Sequence, residues 1–283
     1  MATMSAHTRR HKLIPTLIML VGALYCLAPI AWLVIASSKP QQRLFTSSTL
    51  EPGTALWDNI KDLLDYGNGA YVHWVINTIV YAFGGATLST VVSCMGGYAL
   101  AKFRFRGRDA IFRVLLAGVL IPGVTLAVPQ YFIMAKLGLA NTYWSVLLPV
   151  ILSPFGIYLC RVYAGASVSN EMLEAARMDG ASELRVFRSV VVPVMLPGLV
   201  TVFLLQLIWI WNNFLLPYLM LSDQNKFPLT LGLYSLLSRG SGEPALYTAA
   251  LVGSLLSVIP LIALIMFLQR FWRLDLVSGG VKG

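Results

Sequence analysis

Six stretches of the chain are continuously apolar: Leu13 to Ala36, Trp74 to Leu100, Ala110 to Met134, Tyr143 to Tyr163, Gly198 to Leu221 and Ala245 to Gln269. A helix rising about 1.5 Å per residue needs about 20 apolar residues to cross a hydrocarbon core of about 30 Å, and each stretch qualifies. None alternates apolar with polar positions, which excludes the strands of a membrane β-barrel. The pattern predicts an all-α polytopic membrane protein: six transmembrane helices in a single domain over residues 1–283. The first run follows Arg9, Arg10 and Lys12, as the core of a secretory signal would. It exceeds the roughly 7–15 residues of such a core and no small-residue cleavage site follows, so it reads as an uncleaved span.

Composition agrees. Of 283 residues, 57% are hydrophobic and only 12% charged, too few to coat a soluble domain of this size. The net charge of +9 gains meaning when it is sorted by loop. With the N-terminus inside and six alternating spans, 15 of the 21 basic residues fall on the inner side and 6 outside, whereas the 12 acids divide equally. The whole excess therefore lies on one face, and the positive-inside rule predicts that both termini are cytoplasmic. The same distribution argues against a nucleic-acid partner, which would need a basic patch on a soluble fold. Cys26, Cys94 and Cys160 lie within apolar runs without metal or disulfide spacing and read as packing residues.

Sorted by depth, most of the spans contain no Asp, Glu, Lys or Arg; Arg113, Lys136 and Arg161 lie near span ends. Proton-coupled carriers keep such groups inside the bundle, and membrane enzymes cluster them at a site. No nucleotide-binding GxxxxGK[ST] loop is present either, so no cofactor is expected on this chain and the energy for transport must come through another subunit. An ion-coupled secondary transporter using hydroxyls and carbonyls is the alternative. Uncharged polar groups do occur in the spans: Asn77, Gln130 in the third, which Pro122 and Pro129 are expected to break, and Gln206, Asn212 and Asn213 among Trp209, Trp211 and Tyr218. Amides in lipid must face other helices or a water-filled path, and amides beside aromatic rings suit sugars; helix packing is the competing explanation. The segment Ser222 to Pro244, rich in glycine and proline, reads as flexible, either a connector or a partner-facing loop.

The loop from about 169 to 193 is the most patterned part of the chain. Ser169 or Asn170 can cap a helix carrying Glu171 and Glu174 in its first turns, and Gly180 permits a sharp stop. Asp179 is expected to accept amide hydrogen bonds at the start of a second short helix, after which Pro193 and Pro197 mark entry to the fifth span. Small Ala175 and Ala176 would let this helix approach another protein closely; lying on the membrane surface is the alternative.

Glu174-Ala175-Ala176, then Gly180, then Val190-Val191-Val192-Pro193, together with Asp179-Gly180-Ala181, resembles the EAA motif of permease subunits in binding-protein-dependent ABC importers. Val190 and Val192 replace the usual Ile and Leu. Trp57-Asp58-Asn59-Ile60, Asn77-Thr78, Gly97-Tyr98-Ala99-Leu100-Ala101, Trp211-Asn212-Asn213-Phe214 and the ending Gly279-Gly280-Val281-Lys282-Gly283 resemble the smaller permease subunit of the maltose-type carbohydrate branch. The resemblance implies a type I ABC importer permease fold in a bacterial or archaeal plasma membrane. It also implies a second, different permease subunit, two ATPase subunits that bind ATP and magnesium, and an extracytoplasmic solute-binding protein. Glu174, Ala175, Ala176, Asp179, Gly180 and Ala181 would dock on the ATPase, and the tail at 270–283 would reach it. Transport would follow alternating access, with the amides and rings named above as candidates for the pathway.

Overall fold

In the computed structural model, residues 4–239 and 243–278 are described, and no β-strand occurs among them. Five helical stretches are long and apolar enough to cross a membrane: Pro15–Ser37, Ala70–Lys102, Tyr143–Ser167, Glu183–Trp211 and Pro244–Phe267. A sixth is broken into Arg108–Leu120 and Gly123–Lys136, bent by 107°. The expected six apolar runs are all present, with two corrections. The third run is broken at Pro122 as expected, since Pro122 forces Ile121 into an extended conformation and the helix restarts at Gly123, but Pro129 lies within the new helix without breaking it. The fifth begins at Glu183 rather than Gly198, because the two prolines expected to precede it lie inside the helical stretch.

The helices form two compact units. One contains α1 (Met4–Ser37), α2 (Leu56–Asp65) and the stretch Leu233–Ile259. Here Asn59, buried, donates through Nδ2 to the Ser37 and Lys39 carbonyls at 2.9 and 2.8 Å. That amide fastens α2 to the end of the first span by satisfying carbonyls the helix leaves unpaired.

The second unit runs from Ala70 to Gly232 and resumes at Pro260. Its second span joins α3 (Ala70–Ile79) to α4 (Gly85–Lys102) through a π-turn at Val80–Gly84. The broken third span is α5 (Arg108–Leu120) and α6 (Gly123–Lys136). The fourth, α7 (Tyr143–Ile151) and α8 (Pro154–Ser167), is interrupted at Leu152–Ser153, where Ser153 caps α8 by accepting from the Gly156 amide at 3.0 Å. α4 is central because small residues let its neighbours come close. A Cβ on Gly97 would stand 2.6 Å from the Arg161 backbone nitrogen, and one on Gly85 3.0 Å from the Ile210 side chain.

Candidate functional site

The patterned loop folds as two short helices around an elbow. α9 (Asn170–Met178) is capped by Ser169, whose hydroxyl accepts from the Met172 amide at 3.2 Å. Leu173 is buried with Val168, Val186, Val191 and Ala164, so α9 is seated on the ends of α4, α8 and the fifth span rather than lying free. The helix ends in a Schellman motif: the Gly180 amide donates to the Arg177 carbonyl at 3.0 Å and the Ala181 amide to the Ala176 carbonyl at 3.1 Å. Gly180 has φ +78° in open space, so its lack of a side chain serves conformation and not packing. Ala176 and Ala181, the pair that such a motif brings together, both pack against the buried cluster.

Two expectations change here. Ala176 turns inward, so only Ala175 of the pair is exposed beside Glu174. Asp179 occupies the C-cap of α9, and Ser182 precedes the second helix, α10 (Glu183–Val186), in the N-cap position. The Schellman geometry decides this, because it assigns the residue before the left-handed glycine to the end of the first helix. Arg177 closes the elbow with a two-pronged ion pair to Glu183, Nε to Oε1 at 2.7 Å and Nη2 to Oε2 at 3.3 Å. Glu171 is held below the usual carboxylate range by its own backbone amide and by the Ser169 hydroxyl.

α10 passes through a π-turn at Phe187–Val191 directly into α11 (Val192–Trp211). Pro193 has no N–H to offer the Ser189 carbonyl, and the widened turn accommodates that gap. α10 and the fifth span are therefore one continuous rod that starts at the elbow. On either side of the elbow Met178 is 89% and Leu184 66% exposed, apolar side chains on a surface loop and the feature that sequence reading missed.

The polar residues of the spans divide into two groups. Asn77 is fully committed: Nδ2 donates to the Asn225 and Phe227 carbonyls at 2.7 and 3.0 Å, and Oδ1 accepts from the Tyr143 hydroxyl at 2.7 Å. Gln206, also buried, donates to Ser153 at the interruption of the fourth span. Trp211 is buried, and Gln130 and Asn213 are half-buried; the Asn213 carbonyl accepts from Thr230 at 2.9 Å. Trp209, Asn212 and Tyr218 are exposed, the first two one turn apart at the end of α11 and the third beyond a break, in α12 (Leu215–Met220), where it stacks on Phe214. The candidates are thus not gathered into one pocket.

The segment after the fifth span departs from the flexible loop expected of it. Asn77, Trp74 and Tyr81 all donate to carbonyls of Gln224–Phe227, and the Asn141 side chain accepts the Ser222 and Asp223 amides. The Asp223 carboxyl is held below its ordinary value by Lys226, 2.7 Å away, and then by the Asn225 amide. Thr78 accepts the Leu229 amide at the start of α13 (Leu229–Arg239). Gly240 and Gly242 lie outside the described residues, as do the glycines of the C-terminal ending.

Residues 93–273 match the model of the family described as "Binding-protein-dependent transport system inner membrane component". The chain belongs to that family. As an inner membrane component of a transport system it is a multi-pass permease subunit and not an enzyme. The arabinooligosaccharides transport system permease protein AraQ of Halalkalibacterium halodurans is 34% identical over 90% of this chain and 91% of its own length. AraQ of Bacillus subtilis is 32% identical over 96% of both. The sn-glycerol-3-phosphate transport system permease protein UgpE of Yersinia pestis is 29% identical over 93% of the chain and 94% of its own. Among solved structures, a bacterial ABC transporter involved in the import of the acidic polysaccharide alginate superposes with a TM-score of 0.81 and 25% identity, over 95% of this chain and 99% of that one. The permease fold read from the motifs is the fold found.

Proposed function

We propose that this permease subunit forms half of the translocation pathway of an ATP-driven importer for a carbohydrate or related polyol. Its relatives carry arabinooligosaccharides, lactose and sn-glycerol-3-phosphate in their names, which supports the solute class. A second, different permease subunit supplies the other half. Two ATPase subunits bind ATP and magnesium, and an extracytoplasmic binding protein delivers the solute; a similar solved transporter is in complex with a solute-loaded periplasmic protein. Both termini lie in the cytoplasm.

The observation that carries the coupling role is the continuity of the helix after the elbow, α10, with the fifth span. Glu174, Ala175, Asp179 and Gly180 stand exposed on a helix whose inner face is fixed by Leu173 and Ala176, and the Arg177–Glu183 pair locks the turn. A push on Met178 or Leu184 by an ATPase subunit is transmitted along a rod ending at Trp211, beside Asn212. Trp209, Asn212 and Tyr218 then present ring faces and an amide to a passing sugar, with Gln130 and Asn213 close to the surface. Asn77, Gln206 and Trp211 hold the helices that frame the path.

Uptake in proteoliposomes carrying the whole complex tests this reading. Transport is expected only with ATP on the elbow side and binding protein on the other. Uptake driven by an ion gradient without ATP would instead support a secondary transporter.

A further inference from the structure

The segment joining the second and third spans lies at the same end of its unit as the elbow. Lys102 Nζ is 3.5 Å from Asn170 Oδ1, and Phe103 meets Tyr98, which in turn packs on Phe187. Here Gly107, with φ +86°, reverses the chain and opens a cleft of about 450 Å³ lined by Arg104, Phe105, Arg108, Asp109 and Arg113. Three guanidiniums face one carboxylate. Asp109 is engaged by Arg108 at 3.1 Å, and among the described residues neither Arg104 nor Arg113 has a carboxylate partner. A fourth cation, Arg161, is held 3.5 Å over the Phe112 ring and is already occupied. Immediately along α5 the surface turns apolar, with Ile111 48% and Val114 72% exposed, and Phe105 stands exposed beside the arginines.

We propose that this cleft binds the phosphodiester headgroup of an anionic membrane lipid. The phosphate sits between Arg104 and Arg113, where guanidinium forks match its oxygens, and the acyl chains lie along Ile111 and Val114. Two features favour a lipid over a free anion or a protein. The cations meet an exposed apolar stripe at the start of the broken third span, and the cleft is too open to enclose a small solute. An anionic leaflet strengthens such contacts. A bound lipid would brace the turn next to the elbow.

The test is native mass spectrometry of the full-length protein in detergent with added phosphatidylglycerol or phosphatidylcholine. The intact protein is expected to retain phosphatidylglycerol preferentially. R104Q/R113Q should retain it about thirtyfold less, as loss of two interfacial cations implies. R106Q, an exposed arginine outside the cleft, should bind as the parent does, and excess inorganic phosphate should not displace the lipid. Unchanged retention by R104Q/R113Q would overturn the proposal. So would an equal loss in R106Q, which would indicate diffuse charge, or equal competition by inorganic phosphate, which would indicate a free-anion site. Melting temperatures of the variants in the same detergent separate loss of binding from loss of fold.

Discussion

Asn77 and Trp209 are both side chains that sequence alone assigns to a sugar path, and their surroundings separate them. Asn77 uses both ends of its amide within the subunit, on Asn225, Phe227 and Tyr143. Asn77→Ala would leave two carbonyls and a hydroxyl without partners, at about 1–3 kcal/mol for each group that stays buried. A clear fall in the melting temperature of the purified protein is expected. Trp209 is 56% exposed, so Trp209→Ala should change stability by no more than about 0.5 kcal/mol while lowering solute uptake. The reverse pattern would put Asn77 on the path and Trp209 against lipid. Sequence identified amides where lipid tolerates few, but it could not show which were occupied. The two backbone carbonyls that Asn77 holds lie 148 and 150 positions away, and carbonyls leave no trace in residue identity.

At the scale of elements, the elbow was legible because its spacing is a backbone geometry. Ala176, Gly180 and Ala181 stand at the positions a Schellman motif fills with a small inner residue, a left-handed glycine and an apolar contact. The bend of the third span was foreshadowed by Pro122. The start of the fifth span was not legible, because Pro193 reads as a helix breaker unless the preceding π-turn is known. Nor was the Arg177–Glu183 bridge, which depends on the direction the chain takes after Gly180. Both partners of that bridge are exposed, so its role should appear in coupling and not in stability. Glu183→Gln is expected to weaken solute-stimulated ATP hydrolysis in the reconstituted complex, and Arg177→Gln/Glu183→Gln should be no worse than either single change. Additive losses would mean that the two residues act separately.

For the whole molecule, the charge asymmetry gives an orientation that labelling can check. Met178 and Gln224 are both exposed, one on the elbow and the other in the turn after the fifth span, and the positive-inside rule puts them on opposite sides of the membrane. In intact cells a membrane-impermeant maleimide should modify Gln224→Cys and reach Met178→Cys only after permeabilisation. Labelling in the opposite order would invert the topology. The proposed coupling role rests on the elbow, and Gly180 is the residue through which to probe it. Its side-chain position is open, so packing is not at issue, but proline can adopt neither φ +78° nor donate to the Arg177 carbonyl. The decisive measurement is solute-stimulated ATP hydrolysis together with uptake by the reconstituted complex bearing Gly180→Pro, assembled to the same level as the parent. Loss of both stimulation and uptake is the expected result, and parental values for both would contradict a coupling role for the elbow.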